Sequence, residues 1–408
     1  MKMKKVLAVL LVVAIAAALC VSVVACGNEE EIKPISKENI KIGLICLHGE
    51  SSTYDKNFID AMKEAKQSLG LNDDQVVIVQ GVGESQDCYD AAANLVDKGC
   101  NVIFADSFGH ESFMIEAAKE FPNVQFCHAT GTKAHTEKLS NYHNAFASIY
   151  EGRYLAGVAA GLKLNEMIAA GKFKAGEAKM GYVGAHPYAE VVSGYTSFYL
   201  GAKSVCPTVT MDVKYTKSWY DEPAEKETAE YLIQNGCKLI SQHADSWGAP
   251  KACEAKNVPN VSYNGSTVSQ CPNTAIISSK INWAPYYEYV VNCMIKGEKI
   301  NPDWTGTLST GSVVLTDVNE AVAAKGTAEK IAAVKAKLIN GEIKVFDTAN
   351  FTVGGKKLTT YMADVDTDPA YTGDTEAIEN GIFEESKFRS APYFDVRIDG
   401  ITEIENKK

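Results

Sequence analysis

The chain has 408 residues, of which 46% are hydrophobic and 22% charged, with a formal net charge of −11. That length fits two domains of ordinary size, and the composition is that of a folded globular protein, not a disordered or collagenous one. The acidic balance, with Arg153, Arg389 and Arg397 as the arginines, excludes nucleic acid as an expected partner, since phosphate binding needs clustered Lys and Arg. No Cys-x-x-Cys pair occurs among the eleven cysteines, so a zinc ribbon is also excluded.

The N-terminus carries Lys2, Lys4 and Lys5, then an apolar stretch from Val6 to Leu19, then Val23-Val24-Ala25-Cys26-Gly27. A basic start, an apolar run and a small residue before a cysteine read as a secretory signal of the lipoprotein kind. Residues 1–25 are then the signal peptide, with Cys26 lipidated on its sulfur and 26–37 a polar tether. The alternative is a plain transmembrane anchor from Val6 to about Ala25, just long enough to span a bilayer. In the lipoprotein reading the mature protein works outside the cytoplasmic membrane. Nine further cysteines then remain, and they read as small buried hydrophobes with free thiols. One or two disulfides stay open as an alternative.

From Ile40 onward short apolar strands alternate with amphipathic helices. Strands are expected at 40–46, 75–80, 101–105 and 123–127, and helices at 85–97 and 111–120, with a helical stripe formed by Phe58, Met62, Ala65 and Leu69. A second round follows, with helices at 152–164, 188–203 and 223–235 and strands at 179–184, 208–215, 238–242 and 260–263. Further helices are expected at 285–296 and about 318–338, and small strands and loops from Lys344. Alternation with short connections predicts an α/β protein of two doubly wound lobes with parallel sheets. The first lobe is assigned 38–148 with 279–308, the second 149–278 with 309–408.

Ligands of open α/β sheets bind beyond the carboxyl ends of the strands. Those positions carry Tyr54 and Asp55, then Asp106, Ser107 and Phe108, then Thr130 in the first round. In the second they carry Trp219, Asp245, Tyr263 and Asn264. Aromatic rings for stacking and carboxylates for accepting hydrogen bonds suit a flat polar heterocycle or a sugar. They suit a phosphorylated ligand badly. Phe58 could equally be core, and Asp106 and Asp221 could be helix caps. His48, His128, His186 and His243 all follow strands, but no two share a metal-ligand spacing, so no metal is expected. No nucleophile elbow, phosphate loop or complete dinucleotide fingerprint occurs, so no enzymatic activity and no cofactor are expected; a cell-surface nucleoside hydrolase using cleft carboxylates is the remaining alternative.

Several segments together carry a family resemblance. They are Asp55-Lys56-Asn57-Phe58, Ile103-Phe104-Ala105-Asp106-Ser107-Phe108-Gly109, Phe126-Cys127-His128-Ala129-Thr130-Gly131 and Tyr150-Glu151-Gly152-Arg153-Tyr154-Leu155-Ala156-Gly157. Ser218-Trp219-Tyr220-Asp221-Glu222-Pro223, Gln242-His243-Ala244-Asp245-Ser246 and Asn282-Trp283-Ala284-Pro285-Tyr286-Tyr287 continue it. The chain resembles the basic membrane protein family of ABC-transporter substrate-binding lipoproteins, the purine-nucleoside-binding kind. The resemblance implies a type I periplasmic-binding fold, two lobes joined by a three-crossing hinge and closing on ligand. It implies a purine between two rings, at the positions of Phe58 and Trp219, with a carboxylate at Asp106 addressing the base. Asp245, Tyr263 and Asn264 fall where ribose or the far edge of the base is handled, and Trp283 is carried over as a site residue. Ser262-Tyr263-Asn264 departs from the pattern that holds ribose hydroxyls, which shifts the expectation towards a free nucleobase. The implied partners are a small-molecule purine, the ABC permease subunits and the membrane through the lipid anchor, with the receptor itself a monomer. The stretch 344–408 exceeds the family's usual tail and receives no role.

Overall fold

The computed structural model describes residues 32–365 and 372–405. The signal segment and Cys26 lie outside these residues. Nine of the cysteines lie inside them, and all nine are buried with free thiols.

The first sheet is built from β1 (Ile42–Ile45), β2 (Val76–Val79), β3 (Val102–Ala105), β4 (Gln125–Ala129) and β5 (Tyr142–Ala147). Their crossover helices are α1 (Thr53–Leu69), α2 (Gln86–Asp97) and α3 (Glu111–Glu120). Every pairing among these strands is parallel. The first three strand–helix units follow the apolar periodicity. β5 does not: Tyr142-His143-Asn144-Ala145-Phe146-Ala147 is a polar-looking run that is buried throughout. Its polar groups are satisfied in place, since His143 Nε2 meets the Gln125 side chain at 2.8 Å and Asn144 Oδ1 accepts from the Ala134 amide at 2.8 Å.

The chain then enters the second sheet through α4 (Ile149–Ala169), β6 (Lys179–Gly184), α5 (Ala189–Lys203), β7 (Thr210–Tyr215) and α6 (Glu222–Gln234). β8 (Leu239–His243), α7 (Gly248–Lys256), β9 (Asn260–Tyr263) and β10 (Ala275–Ile281) complete its parallel part. α4 and α5 cross at glycines. A Cβ on Gly157 would come within 2.0 Å of the Phe198 carbonyl, and one on Gly201 within 2.0 Å of the Tyr154 carbonyl. Only glycine lets the two backbones approach this closely.

After Ile281 the chain passes to α8 (Ala284–Lys296) and β11 (Asp303–Gly306), which pairs with β5 in the first sheet. It then returns to β12 (Val313–Leu315), antiparallel to β10 in the second sheet. α9 (Thr327–Ile339) starts nine residues later than the apolar pattern implies, because Gly326 caps it with a left-handed φ of 80°. The tail beyond it makes two pairs of two-residue strands and ends in β13 (Ile401–Glu403). β13 adds in parallel to β7. The sheet orders are β11-β5-β4-β3-β1-β2 and β12-β10-β9-β8-β6-β7-β13. This is the two-lobed α/β architecture expected from the alternation, with three passages between the lobes.

Candidate functional site

The strand tips of both lobes meet around a cavity of about 390 Å³. Its lining includes Leu47, His48, Tyr54, Asp55, Ser107, Phe108 and Thr130 from the first lobe, and Glu190, Trp219, His243 and Asp245 from the second.

Each first-lobe side chain is placed by local hydrogen bonding. Ser52 caps α1 by accepting from the Asp55 amide at 3.2 Å, which sets Asp55 in the first helical turn. There its carboxylate faces the helix dipole favourably and accepts the His48 amide at 2.7 Å. Tyr54 donates its hydroxyl to the Asp106 carbonyl at 2.7 Å, fixing its ring over the cavity. The Ser107 backbone is clamped by two histidines: its amide donates to His110 Nδ1 at 3.4 Å, and its carbonyl accepts from His128 Nε2 at 2.7 Å. The Ser107 hydroxyl and the Gly109 amide both donate to Glu84 Oε1, at 2.5 and 2.8 Å. Thr130 holds a left-handed φ of 65°, a conformation a β-branched residue rarely adopts and one that concentrates at functional sites.

In the second lobe His243 donates from Nε2 to Glu190 at 3.2 Å, and its ring lies 4.5 Å from that of Tyr263. Trp219 meets the edge of His186 at 5.0 Å, and its carbonyl accepts the Asp245 amide at 2.9 Å. Beneath these tips Arg153 is fully buried. It donates to the hydroxyls of Tyr182, Ser241 and Ser279 at 2.8, 2.9 and 3.2 Å, tying β6, β8 and β10 together.

The carboxyl groups are unusual. Burial, reinforced by the neighbouring Asp55, pushes Asp106 well above the ordinary carboxylate range. Burial and then Glu225 do the same to Asp245. A carboxyl that keeps its proton more readily can donate as well as accept, and of the two Asp245 lines the cavity, where both functions suit a heterocycle edge. Cys46, Asp55 and Asp106 bring three ligand atoms within 4.8 Å of one another. Two of the three already accept backbone amides, Asp55 from His48 and Asp106 from Leu47, and burial drives the Cys46 thiol far above its ordinary range. The trio is therefore a hydrogen-bonded cluster at the cavity wall, with Asp55 on its lining and Cys46 and Asp106 behind it.

The lobes also touch directly. The Thr53 amide and hydroxyl donate to the Asp245 carbonyl at 2.9 and 3.1 Å, and Asn57 Nδ2 donates to Asn264 Oδ1 at 3.2 Å. Phe108 stacks on Tyr188 across the cleft with centroids 5.5 Å apart. This is a closed arrangement.

Of the residues expected from the sequence, Tyr54, Asp55, Ser107, Phe108, Thr130, Trp219 and Asp245 line the cavity. The others stand behind it. Phe58 is fully buried, stacked on Trp283 at 4.5 Å and covered by the edge of Tyr54 at 4.9 Å. Its place in the helical stripe with Met62 turns it into the first-lobe core, and Tyr54 is the ring of α1 that lines this cavity, where the resemblance had implied Phe58 opposite Trp219. Trp283 is likewise core, with Phe58 and Phe104 against it. Asp106 lies under Leu47, whose amide it accepts at 3.1 Å. Tyr263 backs His243, and Asn264 is held between Asp245 and Asn57. Leu47, His48, Glu190 and His243 were not among the expected binding residues. The two histidines follow strands, which is a usable signal, and Glu190 opens the helix after β6.

Comparison with known proteins gives the family. The family model described as ABC transporter substrate-binding protein, PnrA-like, matches residues 42–349. The chain belongs to this family. A purine-binding protein of Brucella abortus is 33% identical over 255 residues, covering 62% of this chain and 68% of that one. A putative ABC transporter glucose-binding protein of Haloferax volcanii is 30% identical over 251 residues, covering 62% of this chain and 60% of its own length. Among solved structures, a solute-binding protein of an ABC transporter system from Aeropyrum pernix superposes with a TM-score of 0.60 at 17% identity, over 75% of this chain and 92% of that one. One from Conexibacter woesei gives 0.58 at 19% identity, over 74% and 97%. These likenesses give the fold, that of type I periplasmic-binding proteins. As a PnrA-like substrate-binding protein, the chain is a component of an ABC transporter that takes up a small molecule. Among the described residues, no helix is long and apolar enough to cross a membrane.

Proposed function

We propose that this PnrA-like protein is a non-enzymatic receptor, anchored by lipid at Cys26 on the outer face of the membrane. In this reading a monomer binds a purine in the inter-lobe cleft and presents it to the permease subunits. The observation that carries it is the lining of the closed cavity: rings from Tyr54, Phe108 and Trp219, carboxyls of Asp55, Glu190 and Asp245, and no Lys or Arg. Flat rings supply stacking, and the carboxyl and imidazole groups supply donors and acceptors for a base edge. An uncharged heterocycle fits such a lining and a phosphate does not. The purine-binding relative from Brucella abortus supports the same assignment.

Within the purines we favour a free base over a nucleoside. Tyr263 and Asn264 stand where ribose would be handled, yet one ring is buried on His243 and the other side chain is committed to Asp245 and Asn57. Neither is free to receive sugar hydroxyls. A monosaccharide is the second reading, favoured by the carboxylate-and-aromatic lining and by the putative glucose-binding relative. A thermal-shift panel of adenine, guanine, hypoxanthine, their nucleosides and simple sugars separates the two. Stabilisation by a base supports the purine reading, and stabilisation by sugars alone ends it.

A further inference from the structure

Residues beyond 349 lie outside the matched family segment, yet they are built into the cleft. Next to the ligand cavity is a more open chamber of about 730 Å³ that shares Phe108, Thr130 and Glu190 with it. Its outer wall is the extension, through Arg389, Ala391, Pro392 and Asp395.

The extension is fastened to the second lobe on both sides of this wall and to the first lobe within it. On the second-lobe side β13 adds to β7, and Glu403 accepts the hydroxyls of Tyr195 and Tyr215 at 2.8 and 2.6 Å. Glu385, buried, accepts from Ser193 of α5 at 2.6 Å. On the first-lobe side the Ser390 amide donates to Asp303 Oδ1 of β11 at 2.9 Å. Between these points the loop is held in shape by its own arginine. Arg389 donates to the carbonyls of Asp364, Ala391 and Pro392 at 2.9, 3.2 and 3.4 Å. A segment that is a strand of one lobe and a hydrogen-bonded partner of the other must be strained or released when the lobes part.

We propose that the C-terminal extension is a strap across the cleft mouth, tied to the first lobe through Asp303 and Ser390, that favours the closed arrangement and slows ligand exchange. Asp303 and Arg389 are positioning residues in this scheme; neither lines the inner cavity. The strap is independent of which ligand the cleft takes.

The test uses the whole chain with Asp303→Ala, which removes the acceptor, and Asp303→Asn, which keeps an oxygen for the Ser390 amide. Arg389→Ala, which loosens the loop but leaves Asp303, serves as the second route. Small-angle scattering of the ligand-free protein and hydrogen exchange at residue 390 are the readouts. The strap predicts a larger radius of gyration and lost protection in Asp303→Ala and Arg389→Ala, with Asp303→Asn like wild type. With adenine as probe, followed by tryptophan fluorescence in stopped flow, dissociation should quicken about tenfold in Asp303→Ala. Unchanged scattering and exchange in both alanine variants overturn the strap. If wild-type protein does not bind adenine, the purine reading fails while scattering and exchange still decide the strap.

Discussion

The amide of Thr53, at the first turn of α1 in the first lobe, donates to the carbonyl of Asp245 in the second lobe at 2.9 Å. One backbone bond thus joins the helix that presents Tyr54 and Asp55 to the loop that presents Asp245, whose own amide is bonded to the Trp219 carbonyl. The lobes are in register at the floor of the cavity, and the ligand-facing groups of each are set by the closure itself. Closure and binding are then linked: whatever ligand fits the closed cavity better than the open cleft shifts the population towards this form.

Asn57 makes the neighbouring bridge to Asn264 at 3.2 Å, buried on both sides. Asn57→Ala should weaken closure by about 1 kcal/mol, the usual net value of one hydrogen bond. That corresponds to about a fivefold loss of affinity. Calorimetric titration gives the affinity, and an unchanged constant would show that the bridge is incidental to closure.

Trp219 and Phe58 should separate cleanly. Trp219 lines the cavity, so Trp219→Ala should weaken purine binding at least tenfold, about 1.4 kcal/mol, with little change in melting temperature. Phe58 is core against Trp283 and Phe104. Phe58→Ala should cost roughly 3–5 kcal/mol of stability, whereas Phe58→Leu should keep near-normal binding. A Phe58→Leu variant that folds normally but loses binding would return Phe58 to the ligand.

The contrast between those two rings shows how far the residues could be read directly. Strand and helix alternation is carried by apolar periodicity, and the rule that ligands bind beyond strand ends pointed to Asp55, Ser107, Trp219 and Asp245, all of which line the cavity. The rule stops at side-chain direction. Phe58 lies one helical turn along α1 from Tyr54, and only burial shows that Tyr54 faces out and Phe58 faces in. β5 escaped because His143 and Asn144 are buried through polar partners on other elements, which periodicity does not register. α7 begins Gly248-Ala249-Pro250, a helix start that reads as a turn. Glu190 escaped because an acid in the first turn of a helix has an ordinary capping role.

Arg153 holds three strands of the second lobe while lying over the rings of Tyr182, Phe198 and Tyr263. Arg153→Ala would remove these contacts and leave several buried hydroxyls without their donor. A loss on the order of 3 kcal/mol is expected, read from urea denaturation. A loss below about 0.5 kcal/mol would show that Arg153 is dispensable to the second sheet.

Burial pushes Glu225 and Glu385 up to about 7. Each binds its proton more tightly folded than unfolded, so its contribution falls as pH rises from the ordinary carboxylate range through about 7 and is constant above. Buried His110, lowered to about 4, acts in the opposite sense: its contribution is lost as pH falls from its ordinary value through about 4. The carboxyl effect is therefore isolated by substitution. Glu225→Gln and Glu385→Gln should each raise the melting temperature relative to wild type at pH 8 and leave it nearly equal at pH 5. An equal effect at both pH values would assign the change to altered hydrogen bonding instead.

The central claim is that the cleft takes a purine. Isothermal titration of ligand-stripped protein with adenine and with glucose, run beside Trp219→Ala, addresses it most directly. One molecule of adenine should bind per chain, weakened at least tenfold by Trp219→Ala, with no heat of binding from glucose. Binding of glucose without binding of any purine base would contradict it.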